Sequence, residues 1–457
     1  MQVTETLNEG LKHEFKVNVS ASDLDAKADA KLVDLKDKVR LNGFRPGKVP
    51  VAHLKKIYGR SVMAETVEAM IRELNAKIVE ERGFKLAMEP KVSMAEEPTD
   101  LDQVVAGQSD FAYTLSLEVL PKIDLGDFKS LKLERLTAAV TDAEVDDALA
   151  KLADQNKPLR PKGEGAKVES GDRVVVDYNG TVDGQPFEGG TGTDVGVNVG
   201  SGTFIPGFEE QLVGMAVGET RQVSVTFPAT YPNPALAGRQ AEFQVTAKTV
   251  ETPGAATIDD AFAQSLGLES LDKLKTMLRE RVAREHGLMS RQKLKRQLLD
   301  QLDAMHKFAA PPTLVEDEFR NVWNAIETDL RQQGRTFADE GTTEEKAREE
   351  YRTIAERRVR LGLVLAEIGE KNGIKISEDE LSRGVAERAR QFPGREQEVW
   401  DHYRNDPQAL ATVRAPIFEE KVVDFLVELA KVTEKAVSRE ELYKEEEDEA
   451  PAAGGQG

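Results

Sequence analysis

Apolar residues recur at two different spacings along this 457-residue chain, and the spacing changes from one region to the next. In residues 271–305 they return at helical intervals, whereas in residues 168–250 short runs alternate apolar and polar residues between glycine turns. A period of 3.6 residues favours an amphipathic helix, and a period of two favours a half-buried strand. Since one regular architecture cannot accommodate both patterns, the sequence predicts an α+β multidomain fold.

The length of the chain sets its number of domains. Dividing 457 residues by a typical domain length of about 150 gives about three domains. A hydrophobic content of 39% suffices for folded cores, and 32% charged residues with 6% aromatics favour much helix with a charged surface. We place the domains at residues 1–115, 151–255 and 256–438, with a structured linker at 116–150 and a disordered acidic tail at 439–457.

Composition disfavours several classes of site and location. Cysteine is absent and the five histidines lack the spacing of a zinc motif, so we expect no metal site. No stretch approaches the ~18 apolar residues that cross a bilayer, and residues 1–10 lack the features of a secretory signal. We therefore expect a cytoplasmic protein with no membrane partner. A net charge of −20 confines any contact with nucleic acid to a local basic patch.

One such patch lies between positions 36 and 60, where Asp37 is the only acid. Its cations are Lys36, Lys38, Arg40, Arg45, Lys48, Lys55, Lys56 and Arg60. Glycines and prolines of residues 43–50 interrupt regular structure around Phe44. A helix that starts near Ser22 and stops at residues 42–43, and a second helix from near Ser61 to Gly83, would present these residues at the tip of a hairpin. The patch is either an ordinary solvated face or a docking loop whose ring enters a groove while its cations bind phosphates or carboxylates.

The motif V-R-L-N-G-F-R-P-G-K-V-P at residues 39–50 resembles the ribosome-binding signature of the bacterial trigger factor family. The resemblance implies docking on the large ribosomal subunit near the exit tunnel, through ribosomal protein and rRNA. The implied contact residues are Gly43, Phe44, Arg45, Pro46, Gly47 and Lys48. Pro46 stands where some relatives of that family place a cation.

The middle of the chain carries a second resemblance. The glycine-rich residues 189–202 match neither a P-loop nor a dinucleotide fingerprint, so we expect no nucleotide and no other cofactor. Four segments instead resemble an FKBP-type peptidyl-prolyl isomerase: V-V-V-D-Y-N-G (174–180), D-G-Q-P-F-E-G-G (183–190), F-I-P-G-F-E-E-Q-L (204–212) and F-P-A-T-Y (227–231). The resemblance implies an antiparallel sheet wrapped on a short helix that begins near Pro206.

The same resemblance implies a substrate cleft lined by Tyr178, Phe187, Ile205, Phe208, Tyr231 and Phe243, with Asp177 and Glu188 at its rim. An alternative is that these rings are the ordinary core of a small β domain. Prolyl isomerisation needs no nucleophile, acid or metal, because its barrier is about 18–20 kcal/mol of amide resonance. An apolar cleft lowers it by stripping water from the imide carbonyl.

Long helical patterns follow Pro253 and predict helices at 271–305, 314–333, 344–371, 377–391 and 406–433. Their length and composition resemble the two-armed chaperone domain of the trigger factor family. Apolar side chains that the helical core does not need would form an exposed surface that binds unfolded chains, or else these side chains belong to the core itself. The candidates are Trp323, Trp400, Phe418 and Phe425.

Together these resemblances imply a ribosome-associated chaperone. It would hold newly synthesised chains open near the exit tunnel, assist their folding and export, and isomerise Xaa-Pro bonds. Its partners would be the ribosome and nascent unfolded polypeptides, with a possible homodimer away from the ribosome. The alternatives are a free prolyl isomerase whose flanking domains only recruit substrate, and an assembly scaffold built from the long helices.

Overall fold

The structure is a computed structural model, and it describes residues 2–36, 39, 44, 49–94, 103–104, 109–163, 165–228, 231 and 233–444. The chain divides into two compact units. One comprises residues 1–136, 291–435 and 444–457, and the other comprises residues 137–290 and 436–443. Helices and antiparallel sheets are both present, which confirms the predicted α+β class.

The regular elements are numbered here in chain order. The strands are β1 (Gln2–Glu9), β2 (Lys12–Val19), β3 (Lys91–Met94), β4 (Phe111–Glu118), β5 (Lys132–Thr137), β6 (Leu159–Pro161), β7 (Arg173–Val182), β8 (Gln185–Asn198), β9 (Thr220–Thr226), β10 (Gln240–Pro253) and β11 (Lys431–Ala436). The α-helices are α1 (Ala21–Lys36), α2 (Val51–Arg82), α3 (Asp142–Gln155), α4 (Phe208–Leu212), α5 (Asp260–Ser265), α6 (Leu271–Met305), α7 (Pro312–Gln333), α8 (Glu344–Lys371), α9 (Glu378–Ala389), α10 (Glu396–Asn405), α11 (Pro407–Leu429) and α12 (Arg439–Tyr443). Among the described helices, none combines the length and apolar character that crossing a bilayer requires.

The first unit opens with an antiparallel sheet in the order β1-β2-β4-β3. Alternate residues of β2 and β4 face a core shared with α1 and α2, in which Phe15, Tyr113 and Leu115 are fully buried. The alternating apolar residues of β2 and β4 are visible in the sequence. β1 lacks that alternation, because its side chains are mostly exposed and backbone hydrogen bonds to β2, rather than burial, hold it at the sheet edge.

Helix α2 begins at Val51, so the predicted start near Ser61 was wrong. Pro50 is extended, and its carbonyl accepts the N–H groups of His53 and Leu54 at 3.0 and 3.1 Å. Leu54 is fully buried in the core with α1. This contact stabilises the first turns of α2, although Gly59 inside the helix lowers helix stability by about 1 kcal/mol relative to alanine. The helix ends, as predicted, at Gly83 in the left-handed conformation. The predicted end of the first helix at residues 42–43 lies outside the described residues.

A second core of the first unit joins helices to two short strands. Leu298, Val364 and Leu426 of α6, α8 and α11 are buried in it. Leu131 and Leu133 are buried there too, since β5 pairs with β11. This part of the predicted linker, residues 116–150, is therefore part of a helical core.

The helical predictions hold where an apolar stripe marks the helix. α6 and α8 match their predicted bounds to the residue. The last predicted helix, 406–433, ends at Leu429 because the chain then forms β11. α10 was missed because it is short and its apolar side chains, Val399, Trp400 and Tyr403, are too few to establish a helical period.

Trp323 is a core residue of the α7–α8 pair. Its ring stacks on Phe319 and Phe337 at 5.8 and 5.1 Å between centroids, and its Nε1–H donates to Glu327 at 2.6 Å. The side chain is buried, so of the two alternatives for Trp323 the structure supports the core and not a surface for unfolded chains. Trp400, Phe418 and Phe425 are half-buried, and the two phenylalanines pack against the helical core.

The second unit holds a sheet in the order β6-β10-β7-β8, with β9 also paired to β10. Helix α4 packs on one face of it through Phe208 and Leu212. A smaller core joins Val145 and Leu149 of α3 to Leu274 of α6. At the start of α3, Thr141 and Glu144 form a reciprocal capping box.

The predicted disorder from residue 439 was wrong for its first residues. Arg439–Tyr443 form α12, in which Leu442 is fully buried. The Tyr443 ring meets the edge of His286 at 5.7 Å, and Arg439 lies 3.5 Å from the Glu144 carboxylate. The E-E-E-D-E segment that suggested disorder begins only at residue 445 and lies outside the described residues.

The capping box at the start of α9 gives a testable dependence on pH. The Lys421 ammonium, followed by the Ser377 N–H and hydroxyl, lowers the pKa of Glu380 to about 2. In an unfolded chain a glutamate titrates near pH 4.3, so its stabilisation is complete above that pH and is lost as the pH falls towards about 2. We expect Glu380→Gln to lower the free energy of unfolding at pH 7 and to have a smaller effect at pH 3, measured by urea unfolding. Glu378→Gln, an exposed acid in the same turn, is the control; an equal loss at both pH values would contradict the assignment.

Candidate functional site

A cleft of about 360 Å³ opens in the second unit, and all six residues predicted for it line its walls. They are Tyr178, Phe187, Ile205, Phe208, Tyr231 and Phe243. Phe204, Pro206 and Phe227 line it as well. The sequence segments contained these three residues, but nothing in an alternating or turn pattern distinguishes a cleft ring from a core ring. The structure therefore brings the predicted set together and enlarges it.

Neighbouring strands place two of these rings. β7 and β10 are antiparallel, with Tyr178 opposite Val245 and Phe243 opposite Gly180. The Tyr178 and Phe243 rings meet edge to face at 5.9 Å between centroids. A Cβ atom at Gly180 would overlap the Phe243 ring, so glycine leaves the space that this ring occupies.

Phe208 forms the floor of the cleft. It is the first residue of α4, it is buried, and its ring meets that of Phe243 edge to face at 5.4 Å. Phe204 stacks on it at 5.5 Å with 16° between the ring planes. Such ring pairs contribute about 0.5–1.5 kcal/mol each beyond their buried area, so they hold the floor rigid.

The opposite wall is a second chain of ring contacts. Phe187 meets Phe227 and Phe243 edge to face at 5.8 and 6.0 Å, and Phe227 contacts Tyr231 at 4.6 Å. Phe187 and Tyr231 are only half-buried, whereas Phe227 is fully packed.

Neither acid predicted for the rim lines the cleft. Asp177 accepts the Asp194 N–H at 2.8 Å and pairs with Lys248 at 2.9 Å, and these two contacts lower the pKa of its carboxyl. It borders a separate polar depression with Thr191 and Gln244. Glu188 is exposed. No carboxylate, amine or imidazole is found among the described residues that line the cleft.

This geometry suits a reaction that needs shape and dryness. A twisted prolyl ring can lie on Phe208, while surrounding apolar atoms strip water from the imide carbonyl and disfavour its charge-separated resonance form. Interactions that are stronger with the twisted amide than with the planar one lower the barrier. The cleft therefore has the features of a non-covalent isomerase site.

The predicted docking loop lies largely outside the described residues. Of its six predicted contacts, the structure describes Phe44, while Gly43, Arg45, Pro46, Gly47 and Lys48 are outside that part of the chain. The Phe44 side chain is 37% exposed, and its ring lies 5.1 Å from that of His53 in the first turn of α2. The ring therefore contacts α2 and remains partly exposed.

One cation of the basic patch forms ion pairs within the fold. Lys55 lies 3.3 and 3.2 Å from Asp25 and Asp29 of α1, and the Asp29 carboxylate, followed by that of Asp25, raises the pKa of the ammonium. This cation therefore joins α2 to α1. Lys56 and Ile57 are exposed on the same turn of α2.

Three family models match successive parts of the chain, in the order of the predicted domains. Residues 1–152 match the model of "Bacterial trigger factor protein (TF)", and residues 270–428 match that of its C-terminus. Residues 164–248, which include the cleft strands, match "FKBP-type peptidyl-prolyl cis-trans isomerase".

Curated relatives match over almost their whole length. The trigger factor of Bradyrhizobium sp. (strain ORS 278) is 61% identical over 450 residues, covering 98% of this chain and 100% of the relative. That of Azorhizobium caulinodans is 62% identical with the same coverage. A solved structure described as "Promiscuous Substrate Recognition in Folding and Assembly Activities of the Trigger Factor Chaperone" has a TM-score of 0.54 and 21% identity, covers 94% of this chain and 99% of its own, and supports the fold.

The aromatic cleft, the three family matches and the full-length relatives agree. The chain accordingly belongs to the trigger factor family of ribosome-associated chaperones that carry an FKBP-type peptidyl-prolyl isomerase domain.

Proposed function

We propose that this chain docks on the large ribosomal subunit near the exit tunnel, holds newly synthesised polypeptides open, and isomerises their Xaa-Pro bonds in the aromatic cleft. The carrying observation is that the cleft collects Tyr178, Phe187, Ile205, Phe208, Tyr231 and Phe243 around one cavity. Phe208 is the floor against which the prolyl ring lies. No cofactor takes part.

The docking contact in this proposal is the loop of residues 43–48. Phe44 enters a groove on a ribosomal protein, while Arg45 and Lys48 bind acidic side chains or rRNA phosphates. The half-exposed ring of Phe44 beside His53 supports this role. We further propose that the protein works in the cytoplasm and forms a homodimer away from the ribosome.

A free prolyl isomerase is the weaker alternative. It would require flanking domains that only recruit substrate, yet residues 1–152 and 270–428 both match trigger factor models. Both flanking regions therefore match domains of the family itself, and the chaperone function is favoured.

Replacing the loop contacts tests the docking proposal. We expect Phe44→Ala, Arg45→Ala and Lys48→Ala together to weaken cosedimentation with ribosomes at least about tenfold, because a ring and two cations leave the contact. The salt dependence of the remaining binding should also become shallower, since fewer phosphates are neutralised.

The matched control is Arg72→Ala with Lys77→Ala, which removes two exposed cations from α2 at a distance from the loop in sequence. This variant should sediment with ribosomes as the wild type does. Equal binding by all three proteins would exclude the loop as the docking contact.

A substitution beneath the cleft tests the isomerase assignment. In Gly180→Ala the new methyl group must displace the Phe243 ring from its place against Phe208. We expect kcat/KM on a short Xaa-Pro peptide to fall by about tenfold, or about 1.4 kcal/mol of transition-state stabilisation. Gly287→Ala is the control, since a Cβ atom there meets open space. Unchanged turnover in Gly180→Ala would argue against Phe243 as part of the site.

A further inference from the structure

One buried carboxylate stands directly beside the cleft without lining it. Glu209 follows Phe208 in α4 and is 5% exposed. Nothing in the sequence distinguishes it from its exposed neighbour Glu210, because adjacent acids on a short helix usually face solvent. A buried charge is costly unless it is hydrogen-bonded, so its partners show what it does.

The Glu209 carboxylate accepts five hydrogen bonds from one loop. Oε2 accepts the N–H groups of Gly200 at 2.8 Å and Gly202 at 3.0 Å. Oε1 accepts the Ser201 hydroxyl at 3.1 Å and the N–H groups of Thr203 and Phe204, both at 3.0 Å. All of residues 200–204 therefore donate to one side chain.

The loop converges on the carboxylate because of its backbone conformation. Gly200 and Gly202 have φ values of 94° and 68°, in the region that favours glycine, and successive N–H groups then point to one side. Burial by itself would raise the pKa of Glu209, but hydrogen bonds from the Phe204 and Gly202 N–H groups hold that pKa below its ordinary value. The loop is thus built around a carboxylate that stays ionised.

The same loop forms a wall of the cleft. Thr203, Phe204 and Ile205 line the cavity, and Phe204 stacks on Phe208. Glu209 adjoins Phe208 in the chain, so its hydrogen bonds tie the wall to the floor. We propose that Glu209 is a positioning residue for prolyl isomerisation, which holds residues 200–205 in the conformation that closes the cleft. This inference rests on the proposed function of the cleft.

An amide cannot replace the carboxylate here. Glutamine offers one oxygen as an acceptor, and its NH₂ group would face two or three of the N–H and O–H donors. Those buried donors would lose their acceptor. Because an unsatisfied buried donor costs free energy, the loop would leave its wild-type conformation for part of the time, so that water can reach these donors. If the closed loop is populated only part of the time, the apparent affinity for substrate falls by that fraction, while turnover of bound substrate changes little.

The experiment compares Glu209→Gln with Glu210→Gln in the full chain, using a Xaa-Pro peptide as substrate. For Glu209→Gln we expect KM to rise by about fivefold or more, with kcat within about twofold of the wild type. Glu210→Gln should match the wild type in both. A merely structural role would reduce the folded fraction, which lowers the apparent kcat and leaves KM unchanged.

A second variant guards against failure of Glu209→Gln to fold. Ser201→Ala removes one of the five donors from an exposed loop position and should raise KM by about twofold in the same direction. An active wild type with unchanged KM in both variants would overturn this inference alone. A wild type without isomerase activity would overturn the proposed function and this inference with it.

Discussion

The second unit depends on a single strand. β10 pairs with β6, β7 and β9, so without this strand β6 and β9 would lose their pairing partner in the sheet. Its buried residues alternate through Phe243, Val245 and Ala247, and after an irregularity at Lys248 the pattern resumes at Val250. The irregularity accompanies the contact of Lys248 with Asp177 and Asp194. Phe243, held in this strand, then meets the rings of Tyr178, Phe187 and Phe208.

The charged side chains described in this domain lie outside the cleft, so aromatic and aliphatic side chains form most of its lining. Asp172 is buried, and its carboxylate bonds with Lys162 at 2.6 Å and the Glu169 N–H at 2.8 Å. Glu209 is satisfied by backbone donors of the loop that forms a wall of the cleft. Burial of unpaired charge would be costly, so each acid is placed where donors already converge. The apolar interior that isomerisation needs is a consequence of that placement.

In the first unit, the long helices pack through several separate apolar clusters. α1 and α2 pack against the sheet through residues such as Leu24 and Leu54, and α7 and α8 pack around Trp323. Exposed ion pairs such as Lys27 with Glu73 add little free energy each, because solvent screens them. Apolar contacts therefore set the lengths of these helices, as the buried Leu54 does for α2.

The sequence by itself determined the elements whose side chains alternate or recur with a clear period. α6 and α8, the strands around Val174 and Phe243, and the α3 capping box were predictable, because periodicity and capping are local properties. The cleft residues came from a resemblance between short segments, since no local pattern distinguishes a cleft ring from a core ring. Only the tertiary structure decided the course of β1 and α10, the start of α2, and the burial of Leu131, Trp323 and Leu442. It also separated Glu209 from Glu210, since burial and hydrogen-bond partners depend on residues distant in the chain or on loop conformation, which no local pattern records.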